Sequence, residues 1–333
     1  MKFCNLGPKF GLVIVAVIVS AQLIAQNIDY TREQYDAYQK CSVVADPSAK
    51  QACMLAFIKA NPKLSLIQYA IGEYGKALQE QIKNGEHAKV LEAGPVLLKL
   101  RPNDPNINLI TQLCYSAYSA GQFAVAAPYC EKTYASNPAP GLIIILANSY
   151  QKMGEKSKYR DWGTKAIDTL EPAQTLQYVI DFRSQAARAE KWRQAANYSR
   201  KTISTLSKMS KSENVSAADW RTFVSRERSI SYLLLGRNEY ESQNWARSAV
   251  NYQRVIDNTR DRNMRGEAYY YIGMCNWKEN RLTPAMEAFA RGANQKGSPH
   301  AGASNGYLVR LYKSTHNDSE AGLGEFRARA NAR

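Results

Sequence analysis

Between Tyr232 and Ile256 the chain reads YLLLGRNEYESQNWARSAVNYQRVI. Apolar residues recur on either side of a polar turn at the spacing that places side chains on one face of a helix. Gly236 interrupts the first helical pattern, and Trp245, Ser248, Tyr252 and Val255 follow it. The same order returns as Gly273, Leu282, Ala285, Phe289 and Gly292. Upstream it runs Cys114, Phe123, Ala126, Cys130, Thr133, and then Ala147, Lys156, Tyr159, Gly163, Ala166. Arg183, Trp192, Ala195, Ser199 and Thr202 form a weaker copy. Prolines at 62, 102, 138 and 172 end units, the last two intervals being 36 and 34 residues. The pattern predicts a series of antiparallel helix pairs, each a helix A and a helix B joined by a tight turn.

Gly inside a helix costs about 1 kcal/mol relative to Ala. That cost is offset if Gly236 lies where helix B must approach helix A closely. Trp245 then opens helix B and fills the wedge near the turn. Ser248 is small because it faces the crossing, and Tyr252 is large because the helices diverge there. A small/aromatic/small/aromatic/small series with a period near 34 resembles the tetratricopeptide repeat (TPR). The resemblance covers most of residues 64–297. It implies an all-α fold, a right-handed α-solenoid of TPR-like antiparallel helix pairs, about six to seven of them. Along the chain, 26–62 read as an N-terminal helical hairpin and 63–206 as a first TPR block. The stretch 207–219, SKMSKSENVSAAD, has no apolar period and reads as a linker. A second block follows at 220–297, and capping helices and a tail at 298–333. Gly94-Pro95 inside one helix predicts a kink.

Residues 1–25 change the picture of location. Lys2 and Lys9 precede the apolar run Phe10–Val19, and small residues follow at Ser20, Ala21 and Ala25. This is the order of a signal peptide, with cleavage after Ala21 or Ala25. The run is short for a membrane span, which needs about 20 residues; the alternative is an uncleaved N-terminal anchor. Cys4 precedes the run and no Cys follows the small residues, which disfavours lipid attachment. The expected location is exported, periplasmic or envelope-associated. Cleavage takes away Lys2 and Lys9 and no acid, so the net charge falls from +15 to +13. Such a charge favours anionic partners. Outside the cytoplasm, nucleic acid is a poor candidate; anionic lipid, cell-wall glycan or an acidic protein are better ones.

Two cysteine pairs sit symmetrically about turns. Cys41 and Cys53 centre on Pro47, and Cys114 and Cys130 on Gln122. Each pair can bridge helix A to helix B, which suits an oxidising compartment. Buried thiols in a close crossing are the alternative. Cys275 has no such mate and reads as a buried thiol.

The sequence offers little catalytic chemistry. It has three His and contains no phosphate loop, zincin motif or nucleophile elbow. His87 reads as packing, His300 and His316 as solvated, and Glu239 and Glu241 as members of a solvated helix face. No catalytic residue, metal site or cofactor is expected. TPR units are interaction scaffolds whose A helices line a concave groove. Carrying the phase of each repeat over, the resemblance implies a groove lined by Tyr115, Tyr118, Asn148, Gln151, Lys152, Ser184, Arg188, Arg237, Tyr240, Tyr270, Trp277 and Lys278. Tyr, Trp and Arg are residue types that anchor interfaces. The alternative for several of them is packing against the next repeat. A basic stretch, Arg183–Lys211, includes Arg193, Arg200 and Lys201 and is either a docking face or a solvated one. The leading expectation is a non-enzymatic scaffold that binds a protein partner in an envelope assembly. The chain is similar to the envelope TPR proteins of bacteria without their lipid attachment. The second expectation is a module for an anionic glycan or lipid surface.

Overall fold

The structure, a computed structural model, describes residues 29–100 and 107–332. Residues 1–25 with the expected cleavage positions, Cys4 among them, and Pro102 lie outside the described residues. Among the described residues there are sixteen α-helices and no strand, and none of the helices is long and apolar enough to cross a membrane. Odd-numbered helices are A helices and even-numbered ones are B helices. Seven consecutive pairs run from α1 (Arg32–Ser42) and α2 (Pro47–Ala60) to α13 (Arg262–Lys278) and α14 (Leu282–Ala293); α15 (Ala301–Thr315) and α16 (Leu323–Ala332) follow. The chain divides into two compact units, one up to Ser116 and one from Ala117 onward. The 207–219 stretch lies inside the second.

The first unit begins with deliberate caps. Thr31 and Gln34 form a reciprocal capping box at α1. Asp46 accepts from the Ala49 amide at 2.7 Å, and Pro47 takes the first position of α2. Cys41 and Cys53 face each other across this turn and are joined by a disulfide, Cα to Cα 5.4 Å. Met54, Phe57 and Ile58 of α2 are buried, as are Ile67, Ala70, Tyr74 and Leu78 of α3 (Ile67–Lys83). Gln51 and Gln81 exchange amide hydrogen bonds at 2.9 and 3.1 Å within that core. α4 (His87–Leu100) runs on through Pro95. Gly94 has a packing reason: a Cβ there would stand 2.6 Å from Leu113 Cδ2. Opening the Cys41–Cys53 disulfide, with twelve residues of sequence separation, is expected to cost this unit roughly 3 kcal/mol. Urea denaturation of the protein with and without reductant, repeated on Cys41→Ser/Cys53→Ser, measures it; an unchanged midpoint would show that the bond adds nothing.

In the second unit consecutive helices from α6 (Phe123–Ser136) to α15 pack one on the next, and α16 packs back on α14. α11 (Ala217–Glu241) also touches α13, and α13 touches α15. The backbone repeats more faithfully than the residues do. The A–B turns place Gly121, Gly154, Glu190, Gln243 and Asn280 at positive φ, 52° to 75°. In each turn the next residue's N–H bonds a carbonyl five residues back: Gln122 to Ala117, Glu155 to Tyr150, Lys191 to Ala186, Asn244 to Glu239 and Arg281 to Asn276, at 2.8 to 3.0 Å. This is the Schellman closure of a helix C-terminus. Gly85 and the bond from Glu86 to Gln81 repeat it in the first unit.

The interrupting glycines have the expected reason and a different geometry. A Cβ on Gly236 would stand 2.9 Å from the Tyr252 ring, and one on Gly273 2.5 Å from the Phe289 ring. The aromatic ring therefore lies on the glycine itself, rather than in a gap where the helices diverge. Ser248 Oγ donates to the Gly236 carbonyl at 2.9 Å, which satisfies the hydroxyl at the crossing. At the equivalent positions of the α5 (Ile107–Ser119) and α6 (Phe123–Ser136) repeat, Cys114 and Cys130 are both buried and both disulfide-bonded. Cys275 is a buried free thiol, and burial pushes its pKa up to about 11.

Between α10 (Trp192–Lys208) and α11 (Ala217–Glu241) only 209–216 is non-helical. Ser216 accepts from the Asp219 amide and caps α11, whose 25 residues make it the longest helix among the described ones. Arg183, at the small position of the α9 (Pro172–Arg188) repeat, is not part of a surface stretch. It is 1% exposed and its guanidinium pairs with the Glu227 carboxylate of α11 at 2.5 Å. It also donates to the Glu227 carbonyl at 3.2 Å and to Ser231 Oγ at 2.8 Å.

Candidate functional site

The A helices of the second unit carry most of the residues expected to line a groove. Near the start of the unit they form a hydrogen-bonded row. Asn148 on α7 (Pro140–Met153) donates to Tyr118 Oη of α5 at 3.2 Å, and Tyr178 of α9 donates to Asn148 Oδ1 at 3.2 Å. The three residues lie on three successive A helices. Asn148 thereby uses both ends of its amide and fixes the side-by-side packing of those helices.

A second polar layer lies nearer the α7–α8 turn. Gln151 donates to Tyr159 Oη at 3.3 Å; Tyr159, from α8 (Lys156–Thr169), donates to Asp181 at 2.7 Å; and Gln185 donates to Asp181 at 2.9 Å. These groups border a small cavity of about 240 Å³. Burial, and then the hydrogen bond to Asp181, raises the Tyr159 pKa far above its ordinary value, so the phenol is a permanent donor at physiological pH. Ser184 turns inward and donates to the Ile180 carbonyl of its own helix at 2.9 Å. Lys152 and Arg188 are exposed. Tyr115, which belongs to the first unit, is 41% exposed.

Further along, the expected groove residues are drawn into an aromatic seam. The Arg237 guanidinium lies 5.2 Å from the Trp192 ring centre and 5.1 Å from that of Tyr271, and pairs with Glu241 at 2.8 Å. It also donates to Tyr271 Oη. Tyr240 packs edge-on against Trp245 and Tyr271, both at 5.0 Å. Tyr270 touches Phe289, His300 and Tyr307, and Trp277 packs against Tyr307 at 5.4 Å. Lys278 is exposed and lies over Trp277. Burial raises the phenol pKa of both Tyr240 and Tyr270. Half-buried Tyr240, Tyr270 and Trp277 thus bind repeat to repeat, and their outer edges alone reach solvent.

Sequence reasoning missed the partners that complete this seam: Tyr271, Tyr307, Glu267 and His300. His300 is not simply solvated; it is half-buried against Tyr270 and Tyr271 at 5.3 and 6.2 Å. Glu267 is half-buried, and burial lifts its carboxyl above the usual range against the opposing pull of His300 and Arg237. The triple tyrosine at 269–271 was the available signal, because alternate members of such a run must face different neighbours. His316 is exposed and stacks on Tyr312 at 3.8 Å.

The three basic-face residues are dispersed in role. Arg193 is exposed, Arg200 donates to Asn197 at 2.9 Å, and Lys201 is offset by Asp168 at 3.3 Å. Among the described residues no three His, Cys, Asp or Glu side chains gather as metal ligands.

Paired antiparallel helices, one recurrent turn geometry and neighbour-only packing define a TPR-like helical repeat fold. No family model matches the sequence, and no curated protein does. Several solved structures are similar at low scores, three of them as follows. BtubC (BKLC) from P. vanneervenii is 17% identical, covering 69% of this chain and 93% of its own, with a TM-score of 0.35. The APC/C hetero-tetramer Cut9–Hcn1 is 12% identical over 90% of this chain and 52% of the other, TM-score 0.33. A tetratricopeptide repeat protein from Parabacteroides merdae is 13% identical over 84% and 95%, TM-score 0.32.

Proposed function

We propose that the chain is a non-enzymatic helical-repeat scaffold that binds a protein partner, as a peptide or a helix, along its A-helix face within a cell-envelope assembly. The Tyr118–Asn148–Tyr178 row carries the reading. It holds three A helices in fixed register before any partner arrives, and a preorganised surface loses less entropy on binding. Lys152 and Arg188 stand exposed on those helices, ready to meet a partner. Disulfide-bonded Cys41, Cys53, Cys114 and Cys130 fit an oxidising, exported location. An anionic glycan or lipid surface is the second reading, supported by exposed Arg193 and Arg200 and by the net charge of +15.

Tagged protein purified from the envelope fraction after mild cross-linking is expected to bring down one stoichiometric protein partner. Lys152→Glu/Arg188→Glu should abolish that recovery without changing the thermal midpoint, since both side chains are exposed. Recovery of lipid or wall fragments alone, lost with Arg193→Glu/Arg200→Glu, would overturn the reading in favour of the second.

A further inference from the structure

A concavity of about 1000 Å³ opens where the first half of α11 faces the connection between α12 (Trp245–Asn258) and α13. It is away from the residues of the A-helix row. Its rim carries four arginines, Arg221, Arg226, Arg260 and Arg265, against two acids, Asp257 and Asp261. Both acids already have partners. Asp261 is the N-cap of α13 and accepts from the Met264 amide at 2.9 Å, and Asp257 accepts from Gln253 at 2.9 Å.

Arg265 builds the wall. It donates to the Ile256 carbonyl at 3.0 Å, to the Thr259 carbonyl at 3.3 Å and to Tyr269 Oη at 3.1 Å, which ties the end of α12 to α13. Ser225 Oγ donates to the Asn258 carbonyl and ties α11 to the same turn. The remaining guanidiniums, Arg221, Arg226 and Arg260, are exposed and form no ion pair among the described residues. Three unpaired cations thus converge on a space whose walls are fixed by other side chains.

We infer that this concavity binds an acidic peptide segment, with Arg221, Arg226 and Arg260 holding its carboxylates. The guanidinium fork matches a carboxylate bidentately. The space is at the upper end of those that enclose drug-sized ligands, so it has room for several residues rather than for one small anion. Ile256 and Met264 give the wall an apolar component on which aliphatic side-chain stems can lie. A flat bilayer cannot enter a concavity, which separates this site from a membrane-docking face. No aromatic side chain lines it, so it lacks the stacking platforms that single-stranded nucleic acid requires.

Fluorescein-labelled hexaglutamate, titrated with the intact protein and followed by anisotropy, tests the site. Saturable binding is expected. Arg221→Gln/Arg260→Gln should weaken it by about tenfold or more, because charge-assisted contacts are lost. Arg193→Gln/Arg200→Gln should leave it within about twofold, because those charges lie elsewhere and are screened. Equal thermal midpoints for both variants confirm that the exposed substitutions leave the fold intact. Absence of saturable binding would overturn the inference. So would equal weakening by the two variants, displacement by an equimolar amount of inorganic phosphate, or pocket variants that lose binding to phosphatidylglycerol vesicles while keeping hexaglutamate.

Discussion

Arg183→Ala is expected to destabilise the second unit by roughly 3–5 kcal/mol, because it leaves the Glu227 carboxylate buried without its cation. Arg183 is 1% exposed and Glu227 7% exposed, so water cannot replace the lost partner. The pair spans from α9 to α11, across the whole of α10 and the 209–216 segment. Its loss should therefore be felt most at that junction. Hydrogen exchange of the α11 amides is expected to rise sharply in the variant. Replacing both members, Arg183→Met with Glu227→Leu, should recover most of the stability, since a buried ion pair and a well-packed apolar pair are often equivalent. An Arg183→Ala variant within about 1 kcal/mol of wild type in urea would show that the guanidinium is not the clamp described here.

The second large effect belongs to the ring that lies on Gly273. Phe289→Ala should cost roughly 3–5 kcal/mol, as for other fully buried rings. Gly273→Ala is the more discriminating change. Helix propensity favours Ala by about 1 kcal/mol. Against that, its Cβ would stand 2.5 Å from Phe289 Cε1, and Tyr307 is stacked behind the same ring at 5.3 Å. The ring has no room to retreat, so overpacking wins and the net effect is a loss of roughly 1–3 kcal/mol. In a Phe289→Leu background the clash is relieved and Gly273→Ala should become neutral or stabilising. Additive free energies across this cycle would contradict the assigned contact.

These two sites mark the limits of what a reader of the sequence can obtain. Gly236 and Gly273 stand out because a glycine inside a helix needs a reason, and the aromatic residue sixteen positions on supplies it. Cys41 and Cys53 are legible because equidistance from a turn is a property of any antiparallel hairpin. Arg183 shows the limit. Its spacing places it at the small position of a repeat, but no local rule says that its side chain reaches Glu227 of α11. The start of α11 was hidden for a related reason. Its first turn continues a polar stretch with no apolar period, so the sequence pattern places a linker up to residue 219 where the helix begins at Ala217. Glu190, Gln243 and Asn280 adopt the left-handed turn that Gly121 and Gly154 adopt, yet only the glycines announce it.

The candidate site was less legible than the fold. The phase of the repeats places Tyr118, Asn148, Tyr240, Tyr270 and Trp277 on A helices, as it should. It is silent on whether a side chain on such a helix meets a ligand or the next A helix. That choice is made by the residue opposite, such as Tyr178 for Asn148 and Tyr307 for Trp277, some thirty positions away. Lys152, Arg188 and Lys278 are the exposed members of the set, where the proposed partner would meet the A helices.

Site-specific photo-cross-linking in living cells shows whether a protein lies along the A-helix face. A benzophenone amino acid would be placed in turn at Lys152, Arg188 and Lys278 on A helices, and at Lys132 and Arg247 on B helices, all exposed positions. Discrete protein adducts of one common mass are expected from the A-helix positions, and none from the B-helix positions. Adducts of equal yield from both sets, or none but lipid from any position, would contradict the proposed scaffold function.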